Sequence, residues 1–202
     1  MDCTMSLEQI ITRCLEVGIN CLSVADHNAI AGAIKLKEIA PFSIIVSEEI
    51  LTLDGEIIGM FLSQEIPSKL SMEETIAQIK AQGGLVCIPH PCDRLRLSVF
   101  RDQVFEHIMP EVDIIEVFNA RSLSPGSSVR AQQLAQKYGK LASAGSDAHT
   151  PSEIGNAYVE MPEFNSKDEF LSSLAKGKIC GSKSKPTVHL SSIWARFKKR
   201  LS

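Results

Sequence analysis

Gly145-Ser146-Asp147-Ala148-His149-Thr150 constrains this chain more than any other stretch. It follows Leu141-Ala142-Ser143-Ala144, a short run of small residues that reads as a buried strand. An acid and an imidazole two residues apart, where a strand opens into a loop, can both reach one metal ion. Four other apolar runs end in the same way. Cys21-Leu22-Ser23-Val24-Ala25 leads into Asp26-His27-Asn28, and Ile44-Ile45-Val46 into Ser47-Glu48-Glu49. Leu85-Val86-Cys87-Ile88-Pro89 leads into His90-Pro91, and Ile114-Ile115-Glu116-Val117-Phe118 into Asn119-Ala120-Arg121. In a barrel of parallel strands the C-terminal ends share one rim, and active sites lie on that rim. One such residue carries little weight; five of the same polarity imply a site.

The connecting segments support this arrangement. Ser6 followed by Gln9 forms a capping pair, and Leu7, Ile10, Ile11, Cys14 and Leu15 fall on one helical face. Helices are expected over about 30–39, 72–82, 129–138 and 166–175, closed by Pro41, Gly83-Gly84 and Gly139 at the first three. Asp54-Gly55 between β-formers predicts a hairpin, a small antiparallel excursion or strand pair within 51–62. Short strands are expected over 157–160 and near 178–181, and an amphipathic helix over about 188–201 with a basic tip. Alternating strands and helices predict an α/β fold with a mainly parallel sheet, in one domain over 1–202.

Composition narrows the function. A net charge of −3 supplies no basic field for nucleic acid, yet leaves room for an enzyme acting on small phosphorylated molecules. The six cysteines form no C-x-x-C pair, which reads as reduced thiols in a cytoplasmic protein. No apolar run approaches the length of a membrane span, and the N-terminus lacks the pattern of a signal peptide.

The candidate metal ligands are His27, Glu49, His90, Asp147 and His149, with Asp2 and Asn119 as further candidates. Imidazole plus carboxylate without thiolate suits Zn, Mn or Fe, and bridging carboxylates permit more than one ion. Arg94, Arg96 and Arg121 follow ligand positions and are candidates to grip phosphate. Taken singly, each residue has an ordinary structural role: a cap or surface pair for Asp147 and His149, a satisfied histidine for His27 or His90, a solvated turn for Glu48-Glu49, a backbone tie for Asn119 and a surface charge for each arginine. The shared position at strand ends lifts the set above its members.

Ser23-Val24-Ala25-Asp26-His27-Asn28, Glu48-Glu49-Ile50, Ile88-Pro89-His90-Pro91 and Ala144-Gly145-Ser146-Asp147-Ala148-His149-Thr150 together resemble the polymerase-and-histidinol-phosphatase (PHP) family of metal-dependent phosphoesterases, from Asp2 to about Leu201. The resemblance implies a distorted (β/α)7 TIM-like barrel with up to three metal ions on its C-terminal rim. It implies hydrolysis of phosphomonoester or nucleotide-type substrates by a metal-bound hydroxide, with His27, Glu49, His90, Asp147 and His149 as ligands and the last two as catalytic residues. The family opens with a His-x-His strand followed by Ser-Asp-Gly; here Met1-Asp2-Cys3-Thr4 begins inside that second motif, with Asp2 matching its aspartate. The expectation is a barrel missing its first strand, with fewer metals, impaired activity and an open sheet edge through which chains could associate. The alternative is a non-catalytic metal- or phosphate-binding relative. An amidohydrolase-type barrel fits less well, because that family often uses a lysine at a strand end and none is evident.

Overall fold

The computed structural model describes residues 5–93 and 102–184. Asp2, Arg94, Arg96 and the helix expected over 188–201 lie outside the described residues, as does the question of the first barrel strand.

Among the described residues the chain runs α1 (Leu7–Val17), β1 (Cys21–His27), α2 (Ala31–Ile39), β2 (Ser43–Leu51), β3 (Glu56–Met60), α3 (Met72–Ala81), β4 (Leu85–Ile88), α4 (Asp102–Ile108), β5 (Ile114–Asn119), α5 (Ser127–Tyr138), β6 (Leu141–Gly145), β7 (Ala157–Glu160), α6 (Lys167–Leu174) and β8 (Lys178–Gly181). Local chemistry sets most of these bounds. Ser6 with Gln9 and Ser71 with Glu74 form reciprocal capping boxes on α1 and α3, each satisfying two orphan N–H groups. Gly139 ends α5 in the left-handed conformation that a side chain resists.

The strands β1 to β6 form one curled sheet in sequence order. β1 and β2 are parallel, as are β4 with β5 and β5 with β6, while β3 is antiparallel to both its neighbours. Five strands therefore point the same way and their C-terminal ends share one rim. Of the expected distorted (β/α)7 barrel, the described residues show a curled six-stranded sheet in which β3 runs against the rest, and a separate antiparallel ribbon of β7 and β8. The reason lies in the Asp54-Gly55 turn, where the Thr52 amide and hydroxyl both donate to the Gly55 carbonyl, at 2.9 and 2.7 Å. The turn folds β3 back between β2 and β4, as a full member of the sheet. It also extends β2 past Val46: Ser47 to Leu51 pair with β3, so Glu48 and Glu49 lie inside a strand and not in a loop beyond it.

Side chains alternate between two faces of each strand. Val46, Ile50, Val86, Ile88, Ile115 and Val117 face the helices and pack with Ile30, Ile76, Ile79 and Ala131. Ile45, Met60, Leu85, Cys87 and Ile114 face the concave side, whose lower end is closed by Phe170 and Leu174 of α6. Each fully buried aliphatic side chain contributes about 1.5–3 kcal/mol. The concave columns change character along the strands: Ile45, Ser47, Glu49 on β2, and Ile114, Glu116 on β5. Apolar residues at the closed end give way to ionisable ones at the rim. Two local expectations change. β6 is half-buried throughout instead of buried, and Leu15 on α1 is exposed. Each lies at a border: β6 ends the sheet order, and α1 packs mainly on the turn Pro151–Glu153.

Candidate metal centre

The centre of the rim is Glu49. Parallel pairing sets His27 beside it in register, on the same face. His27 Nδ1 lies 3.2 Å from Glu49 Oε2, and His90 Nε2 lies 3.2 Å from Glu49 Oε1. One carboxylate thus sits between two imidazoles from different strands. Glu56 joins them, with Oε2 3.9 Å from His90 Nε2. It enters from the start of β3, which reaches the rim because an antiparallel strand begins where its parallel neighbours end. Pairing of Ile58 with Glu49 places Glu56 on the same face, one diagonal step away, within reach of a long side chain.

His90 adopts φ 32° although Pro91 follows it. Left-handed backbone before a proline is doubly unfavourable, and its persistence requires outside support. Glu116 supplies it, accepting a 2.9 Å hydrogen bond from the His90 amide. The Glu116 carboxyl is buried, and burial pushes its pKa up, an effect opposed by nearby His90 and reinforced by Asp147.

Asp147 and His149 stand on the other side. Asp147 also has positive φ, 51°. Asn119 Nδ2 donates to Glu116 Oε2 and to Asp147 Oδ2, each at 3.3 Å, while its Oδ1 accepts the Arg121 amide at 2.9 Å. A bulge between Glu116 and Phe118 breaks the simple alternation and swings Asn119 onto the Glu116 side. His149 Nδ1 lies 2.8 Å from the Asp147 carbonyl. A carbonyl can only accept, so Nδ1 carries the hydrogen and the lone pair of the neutral ring sits on Nε2. The loop is tied down by Glu153, whose Oε2 accepts from the amides of His149 and Thr150 and from the Thr150 hydroxyl, at 3.0–3.1 Å.

The structure thus brings His27, Glu49 and His90 into direct contact and links Asp147 and His149 to them through Asn119 and Glu116. Asn119, a candidate ligand, has its one acceptor turned to a backbone amide. Arg121, a candidate phosphate clamp, is 4% exposed and faces inward, with Nε 3.5 Å from Glu153 Oε1 and Nη1 3.5 Å from the Asp147 carbonyl. Three acids escaped the reading of strand ends. Glu56 begins a strand, Glu116 lies mid-strand and Glu153 lies in a 3-10 turn; the detectable signal was a lone acid inside the apolar run 114–118. A lysine also reaches the rim, contrary to expectation. Lys183, two residues past β8, donates to the Asn119 carbonyl at 2.8 Å and lies over the Phe118 ring. Burial lowers its pKa, against the pull of Asp93 and Glu116.

The residues fit a divalent ion. Donor atoms of His27, Glu49 and Glu56 lie within 4.8 Å of one another. Ligands bound at about 2.0–2.2 Å stand up to about 4.4 Å apart, so side-chain shifts of a few tenths of an ångström close the shell. The donor set is nitrogen and oxygen without sulfur, as borderline and harder ions prefer.

Fold and site together define an α/β protein with a carboxylate-imidazole cluster on the C-terminal rim of a curled sheet. Residues 128–179, from α5 to β8, match the PHP-associated family model. The chain is 37% identical over 162 residues to an uncharacterized protein of Methanocaldococcus jannaschii, covering 75% of this chain and 65% of that one; a second uncharacterized protein of the same organism is 41% identical over 106 residues, 51% of this chain and 60% of the other. The chain thus spans under two thirds of the length of the curated relatives it matches. A two-domain protein from Bacteroides vulgatus containing a predicted PHP-like metal-dependent phosphoesterase superposes with TM-score 0.70 at 15% identity, covering 90% of this chain and 61% of that one. A Bifidobacterium adolescentis protein assigned as a metal-dependent phosphoesterase gives 0.64 at 16%, covering 88% and 93%. A Chromobacterium violaceum amidohydrolase with bound sulfate gives 0.60 at 16%, covering 75% and 85%. The resemblance to the PHP family read from the motifs holds: the sheet has the fold of PHP-like proteins, and residues 128–179 carry the PHP-associated pattern.

Proposed function

We propose that this chain is a metal-dependent phosphoesterase of the PHP type, acting on small phosphorylated substrates in the cytoplasm. One observation carries the reading: the Glu49 carboxylate lies between His27 and His90, with Glu56 beside it, at the rim where five strands end. His27, Glu49, Glu56 and His90 would hold divalent ions on one side, and Asp147 and His149 on the other; Zn, Mn and Fe all suit this set. Ions bound there would acidify a water and neutralise charge on the phosphoryl oxygens. His149, its hydrogen held on Nδ1, offers Nε2 as ligand or base. We assign Arg121 to holding the His149 loop, and Arg94 and Arg96, by sequence position, to phosphate oxygens. The amidohydrolase reading has less support, because Lys183 is directed at the Asn119 carbonyl and the Phe118 ring.

Hydrolysis of 4-nitrophenyl phosphate with added Mn2+ or Zn2+ tests the assignment. Activity is expected in the wild type, with a loss of at least about 100-fold in His149→Ala. Equal activity in both would end the catalytic reading. Metal retention without turnover would favour the non-catalytic relative.

A further inference from the structure

Glu116 is an acid inside an otherwise apolar strand, 7% exposed, with its carboxylate beneath the rim. Its Oε2 accepts from the His90 amide at 2.9 Å and from Asn119 Nδ2 at 3.3 Å, and the same Asn119 nitrogen reaches Asp147 Oδ2 at 3.3 Å. His90 and Asp147 are the two rim residues of the proposed ligand set held at positive φ. Each therefore needs a contact that overrides its own backbone preference. Across the ladder, Gly145 leaves the space that the carboxylate occupies: a Cβ there would lie 1.8 Å from Glu116 Oε1. Gly145 is not among the glycines with positive φ, so close approach, and not backbone conformation, excludes a side chain.

We propose that Glu116 is a positioning residue, a single buried carboxylate that sets His90 directly and Asp147 through Asn119, and that the bare α-carbon of Gly145 is the condition for its placement. This rests on the reading of the rim as a metal centre. The chemistry favours an acid here. Two donors, the His90 amide and the Asn119 amide nitrogen, converge on one group, and a carboxylate accepts both while presenting no donor to either. Outer-sphere partners of this kind orient ligands and are worth roughly 10- to 100-fold in metal affinity.

Calorimetric titration of Zn2+ into the metal-stripped chain tests this, with thermal melts to confirm that each variant is folded. Glu116→Ala is expected to lose roughly 10- to 100-fold in Zn2+ affinity, and Glu116→Gln, which keeps one acceptor, less than about tenfold. Gly145→Ala is expected to match Glu116→Ala although the acid is intact. The double variant is expected to be no weaker than the weaker single, because the added methyl then occupies the space the acid has left. Wild-type affinity in both alanine variants, or losses that multiply in the double, would overturn the positioning role. If Glu116→Ala does not fold, Gly145→Ala and Glu116→Gln decide: a deficit in the first with near-normal binding in the second supports the role, and any other pattern overturns it. A wild-type chain that takes up no Zn2+ would sink the metal-centre reading itself, a result distinct from variants that bind as well as the wild type.

Discussion

The two halves of the rim are built differently. On the β1–β3 side, His27, Glu49 and Glu56 are placed by strand register, and their side chains meet on one face of continuous β-structure. On the β5–β6 side, Asp147 and His149 lie beyond the last strand residue, and a chain of specific contacts places them: Asn119 on Asp147, and Glu153 on the His149 and Thr150 amides. Register is shared among many backbone hydrogen bonds, so no single side chain maintains it. The loop depends on a few buried polar groups. His27, Glu49 and Glu56 should therefore be lost only when they are themselves removed, whereas His90, Asp147 and His149 should also fail when residues that touch no ion, such as Glu116 and Glu153, are removed.

The largest effect is expected at Glu49. Glu49→Gln removes the charge between two imidazoles and should lower Zn2+ affinity more than about 100-fold, with Glu56→Gln roughly tenfold, both read by calorimetry. Thermal stability of the metal-free protein should change little, which would show that the register survives. Glu153→Ala should act on the other half. It leaves two amides and a hydroxyl without the Glu153 acceptor and takes one carboxylate away from buried Arg121, costing about 1–3 kcal/mol in a denaturant melt and about 10- to 100-fold in turnover. If that variant turned over like the wild type, the two halves would not differ in the way described.

The smallest effect on ion binding is expected on the far face of β2. Glu48 is fully buried among the helix-side residues, and burial pushes its carboxyl up to about 7, with Glu65 adding to the shift and the Ile66 amide opposing it. Between the ordinary carboxylate range and pH 7 the folded chain keeps a proton that the unfolded chain releases. Glu48 thus contributes stability that is complete at low pH and lost as pH rises toward 7, by on the order of 3 kcal/mol. Melts of metal-stripped protein at pH 5 and pH 8 should show this loss, reduced in Glu48→Gln. The variant should keep Zn2+ binding, which separates the two neighbouring acids. An equal pH slope in both proteins would remove Glu48 as its source.

Much of this was legible in the linear pattern. The apolar runs that lead into His27, Glu49, His90, Asn119 and Asp147 reach one rim because their strands share a direction, and strand register sets His27 and Glu49 on one face. Ser6, Ser71 and Gly139 marked helix ends through hydrogen bonds made within a few residues. Glu56 was hidden because an Asp-Gly turn predicts a hairpin without telling where in the sheet its second strand docks. The burial of Arg121 was not legible, because Glu153, the acid it lies against, is remote in the chain.

What the sequence determined by itself was local: where most helices begin and end, which apolar runs form strands, and which chemistry follows them. Only the tertiary structure decided that β3 lies between β2 and β4, that the bulge at Glu116 and Phe118 turns Asn119 toward Asp147, and that Gly145 leaves room for Glu116. Each of these depends on which distant backbone lies alongside. Period and propensity are properties of one segment, whereas neighbourhood belongs to the packed sheet.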